Sequence, residues 1–269
     1  MPQYLNIGCG IHYSRATEWT NLDFSSKDKA VITHNLLEGI PFPDQQFELV
    51  YHSHVLEHFS KQDGEKLIRE CHRVLKPGGI LRIAIPDLET IARLYLKHLE
   101  LAWENPESMS HDSGYQWMLL EMYDQCVRSE SGGTMKQFLQ QLSEKDADLV
   151  RERIGVEYQD IMDSLRQSRQ KQQGVQGKIR MLARNILYKL LYHRNRYEKL
   201  GRFRLGGEIH QWMYDKYSLR KLLSENGFGQ FEIMTAFTSK LPGWSNYELD
   251  GSQGETRKPD SLFVEGVRN

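Results

Sequence analysis

From Phe47 to Ile85 the chain reads strand, helix, strand, and this order limits the possible folds more than any other feature. Apolar runs lie at about 47–52 (FELVYH) and 79–85 (GILRIAI). Between them Leu67, Ile68, Cys71, Val74 and Leu75 keep helical spacing until Lys76-Pro77-Gly78-Gly79 ends the run. Neighbouring strands joined through a helix run parallel, because tight turns serve antiparallel pairs. Three more short strands are expected at about 3–7, 19–23 and 30–33. After Pro86 the strand signal stops for about 120 residues. Helical patterns replace it at roughly 88–103, 115–128, 134–142, 146–172 and 178–199, with breaks at Asn105-Pro106, Ser113-Gly114, Ser131-Gly132-Gly133 and Gly174 to Gly177. Beyond Gly206-Gly207 a helix is expected at 215–226, capped by Asp215 and stopped by Gly227, then strands at 230–237 and 261–267. The expected organisation is one α/β domain, residues 1–87 and 206–269, interrupted by a helical insertion over 88–205.

The connections after the first and second strands are short, about eleven and six residues, too short for crossover helices. Parallel strands need both faces buried. One face therefore lacks its usual cover, and the insertion or a second subunit, as in a homodimer, is expected to supply it. With 269 residues, 39% of them hydrophobic, the chain can bury a large core. No run approaches the ~18 apolar residues of a membrane-spanning helix, and the start, Met1-Pro2-Gln3-Tyr4-Leu5, has no leader pattern. Cys9, Cys71 and Cys126 are an odd number with no CxxC, so reduced thiols and a cytoplasmic location are expected. The net charge of −1 conceals a strong asymmetry: residues 164–207 hold twelve Lys/Arg and one acid, which makes that stretch +11 and the remainder −12.

Leu5-Asn6-Ile7-Gly8-Cys9-Gly10 follows the first strand, and glycines there let a backbone approach a ligand closely. The second strand ends in Asp23, where an acid can accept from ribose hydroxyls or simply cap a turn. Then come Leu37-Glu38-Gly39-Ile40-Pro41-Phe42-Pro43-Asp44-Gln45-Gln46-Phe47-Glu48-Leu49-Val50, His54-Val55-Leu56-Glu57-His58 and Arg73-Val74-Leu75-Lys76-Pro77-Gly78-Gly79. This succession resembles the class I S-adenosylmethionine-dependent methyltransferases over about residues 3–87 and 207–267. "LNIGCG", "WTNLD", "PDLE" and Lys258 to Gly266 are most similar to members found with bacterial surface-polysaccharide and glycan biosynthesis genes. The resemblance implies a Rossmann-like sheet, mostly parallel with an antiparallel final strand, and S-adenosyl-L-methionine as cofactor. It implies that Asn6, Gly8, Cys9 and Gly10 pass the methionine part, Asp23 and Phe24 the ribose, and Asn35 and Leu36 the adenine. Tyr51, His52 and Ser53 would face the sulfonium. Asn6 and Asn35 depart from the commoner acids of the family, although an amide oxygen still accepts a hydrogen bond.

Methyl transfer to a hydroxyl is helped by a base. The candidates are His54, His58 and His210, with His52 close by. His54, Glu57 and His58 also have i, i+3, i+4 spacing, which on a helix would place three donors on one face. Because His54 stands where metal-using relatives carry Glu, no metal is expected. The basic stretch 178–204 reads as a solvated helix face, as a site for a phosphorylated or lipid-linked acceptor, or as a peripheral membrane contact. No nucleic-acid-reading module is recognised, so nucleic acid is not an expected partner. Tyr95, Trp103, Tyr115, Trp117, Tyr123, Tyr188, Tyr192 and Tyr197 give the insertion aromatic surface for a sugar, as a substrate cap or an oligomerisation element. The expected activity is O-methylation of a sugar hydroxyl in a glycan or activated precursor. The alternatives are methylation of a small natural product and a degenerate member that binds cofactor or partner without turnover.

Overall fold

The computed structural model describes residues 2–173 and 197–269. They form two compact units, Met1–Ile91 with His210–Asn269, and Ala92–Ile209. The first unit is built on seven strands, β1 (Tyr4–Ile7), β2 (Trp19–Asp23), β3 (Val31–Thr33), β4 (Phe47–Ser53), β5 (Leu75–Pro86), β6 (Phe228–Met234) and β9 (Ser261–Arg268). Two very short strands, β7 (Gly251–Ser252) and β8 (Glu255–Thr256), make a separate hairpin. The sheet order is β3-β2-β1-β4-β5-β9-β6. All pairs from β3 to β5 are parallel, and β9 runs antiparallel to both of its neighbours. The sheet is thus Rossmann-like, mostly parallel with an antiparallel final strand, as the sequence leads one to expect.

Central strands of a parallel sheet are buried on both faces, and all four residues of β1 are buried. Helix α1 (Lys61–Val74) is capped by the Ser60 hydroxyl, which accepts the Asp63 N–H, and it buries Leu67, Ile68, Cys71 and Val74. These pack with Leu5, Ile7, Leu22, Val50, Leu81 and Ile83, and with Leu219 and Leu223 of the helix Lys216–Glu225. The opposite face carries Tyr4, Trp19, Leu49 and Tyr51, covered by Trp244 and Leu249 with Tyr247 alongside. Part of the cover on this face thus comes from the connection between β6 and β9. The physical reason is aromatic area: Trp19 meets Tyr247 edge-on at 5.2 Å, and Tyr51 lies 5.2 Å from Trp244. Such pairs add about 0.5–1.5 kcal/mol each beyond area burial.

His52 of β4 is fully buried, and neither ring nitrogen has a hydrogen-bond partner among the described residues. Burial lowers its pKa from 6.5 to about 4, outweighing the opposite pull of the Glu57 charge. Between these values the unfolded chain binds a proton that the folded chain refuses, so stability falls as pH drops from about 6.5 to about 4. Urea unfolding at pH 7 and pH 5 is expected to give a smaller loss on acidification for His52→Leu than for the wild type. Equal losses would locate the acid sensitivity elsewhere.

The second unit is helical. The helix Met109–Val127 runs through Ser113-Gly114, where the sequence places a break. A Cβ at residue 114 would overlap the His98 ring, so this glycine permits close approach of the helix Leu88–Glu104. The segment expected as one helix over 146–172 is two, Asp148–Ile154 and Tyr158–Gln173, parted at Gly155, which has a φ of +70°. Glu121 and Arg153 form a buried ion pair at 2.7 Å, and the Trp117 indole N–H donates to Glu121 at 2.5 Å. Trp117 is therefore core, whereas Trp103, Tyr123 and Tyr197 are exposed. The helix expected at 178–199, with Tyr188 and Tyr192, lies outside the described residues except for its end; residues 197–204 are helical.

Candidate functional site

The order of the sheet reverses between β1 and β4, which is where open α/β sheets bind ligands, at the carboxyl ends of the strands. Gly8 and Gly10 there have φ of +63° and +54°. A Cβ at Gly8 would overlap Val55, while one at Gly10 would meet nothing within 4 Å. Gly8 therefore fits the β1 loop against the β4 loop, and Gly10 leaves its backbone open to a ligand. The Asp23 carboxylate fixes this loop by accepting the Gly10 N–H at 2.8 Å and the Ser25 N–H at 2.9 Å. Asn6 is buried and donates to the His12 carbonyl at 3.3 Å, tethering the far end of the loop. The Cys9 thiol stays protonated, its pKa raised to about 12 by burial and by Asp23. Asn35 caps a short 3-10 turn, accepting from the Leu37 N–H at 3.1 Å, and Leu36 packs on the core. Phe24 is 67% exposed, and so are two apolar side chains the sequence reading did not select, Ile11 (85%) and Leu37 (65%). Each directly follows or closely trails a loop position named above, so the signal was an apolar residue in a loop where polar ones are the rule. Asp23→Ala is expected to weaken S-adenosylmethionine binding by about 1.5–3 kcal/mol, read by calorimetry. Near-unchanged affinity would remove Asp23 from the cofactor site.

At the end of β4 the three residues part company. Tyr51 points to the aromatic face and donates to Asp250 at 2.6 Å. His52 is enclosed, and Ser53 is half-buried. The following residue, His54, has a φ of +53°, uncommon for a side chain bearing a Cβ. Its Nε2 lies 2.7 Å from the Ser261 Oγ and its Nδ1 3.2 Å from the Glu57 carboxylate. Ser261, at the start of β9, was not among the expected residues; its separation of 207 positions from His54 hides the pairing. Glu57 is 1% exposed. Burial raises its pKa, but hydrogen bonding to His54 and the charges of His54, His58 and His210 bring it down to about 2. The His58 and His210 rings meet edge to face at 4.9 Å. Three of the four histidines considered for the reaction, His54, His58 and His210, thus act on one buried carboxylate, and His52 is fully enclosed in the core. The trio expected from helical spacing does not form on a helix, since His54 precedes the 3-10 turn Leu56–His58. Glu57, His58 and His210 are the three whose donor atoms converge.

Residues 5–83 match the family model described as a methyltransferase domain. A probable methyltransferase ltbC from Aspergillus luteorubrus is 46% identical over 48 residues, 18% of this chain and 17% of that protein. A probable S-adenosylmethionine-dependent methyltransferase from Mycolicibacterium smegmatis is 34% identical over 61 residues, 23% of each chain. The ubiquinone/menaquinone biosynthesis C-methyltransferase UbiE of Vibrio cholerae is 39% identical over 61 residues, 22% of this chain and 23% of that one. The chain thus spans about a fifth of the length of these curated relatives. The likeness falls on the β1-to-β5 part of the first unit.

Proposed function

We propose that the chain is an S-adenosylmethionine-dependent methyltransferase whose acceptor is a hydroxyl of a sugar, in a glycan or in an activated or lipid-linked precursor. The observation that carries the methyl-transfer reading is the Gly8-to-Gly10 loop held by Asp23 inside the matched segment 5–83. That loop fits the cofactor: Gly10 opens the backbone, and Asp23 keeps lone pairs beyond the two N–H groups it already accepts. When bound, S-adenosylmethionine would supply an electrophilic methyl group. The chain's own residues align the acceptor, exclude water and take the hydroxyl proton.

His54 is the residue best arranged to take that proton. Its Nδ1 faces Glu57, which orients the ring and stabilises the imidazolium, and its Nε2 is hydrogen-bonded to a hydroxyl already, that of Ser261. His54→Gln is expected to lower turnover by about 10²–10⁴-fold, the range for a general base, with a much smaller effect on cofactor affinity. Loss of cofactor binding alone would make His54 part of the cofactor pocket. The insertion is assigned to acceptor recognition. A phosphorylated acceptor or an anionic membrane face is the proposed counterpart of the basic stretch 178–204, most of which lies outside the described residues. Among the described residues no helix is long and apolar enough to cross a membrane.

A second reading, a small-molecule acceptor, is favoured by the relatives, whose names include a quinone-biosynthesis C-methyltransferase and a malonyl-[acyl-carrier protein] O-methyltransferase. The deciding experiment incubates the protein with S-adenosylmethionine and panels of nucleotide sugars, oligosaccharides and small phenols. Mass spectrometry then reads the gain of one methyl. A methylated sugar supports the first reading, a methylated phenol the second. Failure to bind S-adenosylmethionine or its demethylated product would refute both.

A further inference from the structure

We propose that Glu57, His58 and His210 bind one divalent transition-metal ion. Each residue offers one donor atom, and the three atoms all lie within 4.8 Å of one another. Two imidazole nitrogens with one carboxylate oxygen suit zinc and its first-row neighbours, and three protein ligands leave a position for water or a substrate oxygen. Metal bonds of about 2.0–2.2 Å require the three donor atoms to draw together from where they stand.

The main chain holds the donors in register across a wide gap in sequence. The Gln211 N–H donates to the Glu57 carbonyl at 2.7 Å, and the Trp212 N–H donates to the same oxygen at 3.2 Å. The Gln211 side-chain amide donates to the His58 carbonyl at 2.7 Å. His210 is therefore fixed against the 57–58 turn before any ion arrives. Glu57 is 1% exposed, a carboxylate enclosed by the fold. A bound dication would give this buried carboxylate a counter-charge. His54 braces the same carboxylate from behind, with Ser261 fixing its far nitrogen, in the manner of the outer partners that orient metal ligands. His58 is half-buried, whereas the other two donors are buried, so the ion enters past His58.

The test uses the full chain, stripped with a chelator and titrated with Co²⁺ in buffer free of imidazole and phosphate. One equivalent per chain is expected, with visible d–d absorption that Zn²⁺ displaces. His58→Ala and His210→Gln are expected to weaken binding by at least about tenfold, with circular dichroism confirming that each is folded. His58→Ala removes a half-buried ring and keeps the test open should His210→Gln fail to fold. Absence of Co²⁺ binding by the wild type, or undiminished binding by folded His58→Ala, overturns the site. Neither readout involves S-adenosylmethionine or an acceptor, so a failure here is distinct from a failure of methyl transfer.

Discussion

Arg82→Met is expected to cost about 3–5 kcal/mol of stability at pH 7, the range for removing one partner of a buried ion pair. Arg82 lies on β5 and is 0% exposed. Its guanidinium bonds Asp250 and Glu265, each at 2.8 Å, and donates to the Thr235 and Thr238 carbonyls at the same distance. It also lies 4.3 Å from the centre of the Trp244 ring. Met fills much of the volume but takes one donor from each of two carboxylates and two carbonyls, leaving Asp250 with Tyr51 and Glu265 with Ser239 and Lys240. Asp250 is already pushed up in pKa by burial, with Arg82 opposing that rise. Without Arg82 the folded-state pKa climbs further above the unfolded value. The variant's folded state then binds protons that its unfolded state does not, so the penalty shrinks as pH falls. Urea unfolding of wild type and variant at pH 7 and pH 5 measures both effects. A loss below about 1 kcal/mol, or one that grows on acidification, would show that the network is not what secures the aromatic face.

The next largest effect is expected at Gly8. Gly8→Ala places a Cβ into the Val55 side chain and also holds an L-residue at a φ of +63°. The backbone part alone costs about 1–2 kcal/mol. The overlap must be relieved by moving the loop that carries Gly10, so affinity for S-adenosylmethionine is expected to fall at least about tenfold. Gly8→Ala with Val55→Ala should recover the part due to overlap and leave the backbone part. Gly10→Ala is the contrast, since its Cβ would meet no protein atom within 4 Å. It should cost less stability than Gly8→Ala but still reduce cofactor affinity, because the methyl occupies the opening left for the ligand. If Gly10→Ala binds the cofactor as well as wild type does, the cofactor does not approach that backbone.

The parallel sheet was readable from the sequence because its signals are local. Leu67, Ile68, Cys71 and Val74 mark the helical face of α1, and Gly8, Gly10 and Asp23 lie within one strand-loop-strand stretch. The cover of the second face was not readable, because Trp244 and Tyr247 sit in a short 3-10 turn with no periodicity to announce it. Arg82, alternating with apolar residues in β5, looks like a solvent-facing position until Asp250 and Glu265, 168 and 183 residues later, are brought to it. Ser113-Gly114 has the composition of a helix break, and only the His98 ring packed against it explains an uninterrupted helix. The site divides in the same way. The motif containing His54, Glu57 and His58 is visible in one glance, but Ser261 and His210 join it only through the fold.

The position of β9 also bears on synthesis. β5 ends at Pro86, and its second neighbour, Ser261–Arg268, begins 175 residues later (261 − 86). At about 5–20 residues per second, the ribosome leaves that flank of β5 unpaired for roughly ten to thirty seconds. An interior strand therefore spends its early life as an edge, displaying Leu81, Ile83 and Ile85 beside open backbone groups, the form most apt to pair with another chain. Expression at lower temperature, or with more chaperone, should raise the yield of folded protein more than any change at its finished surface.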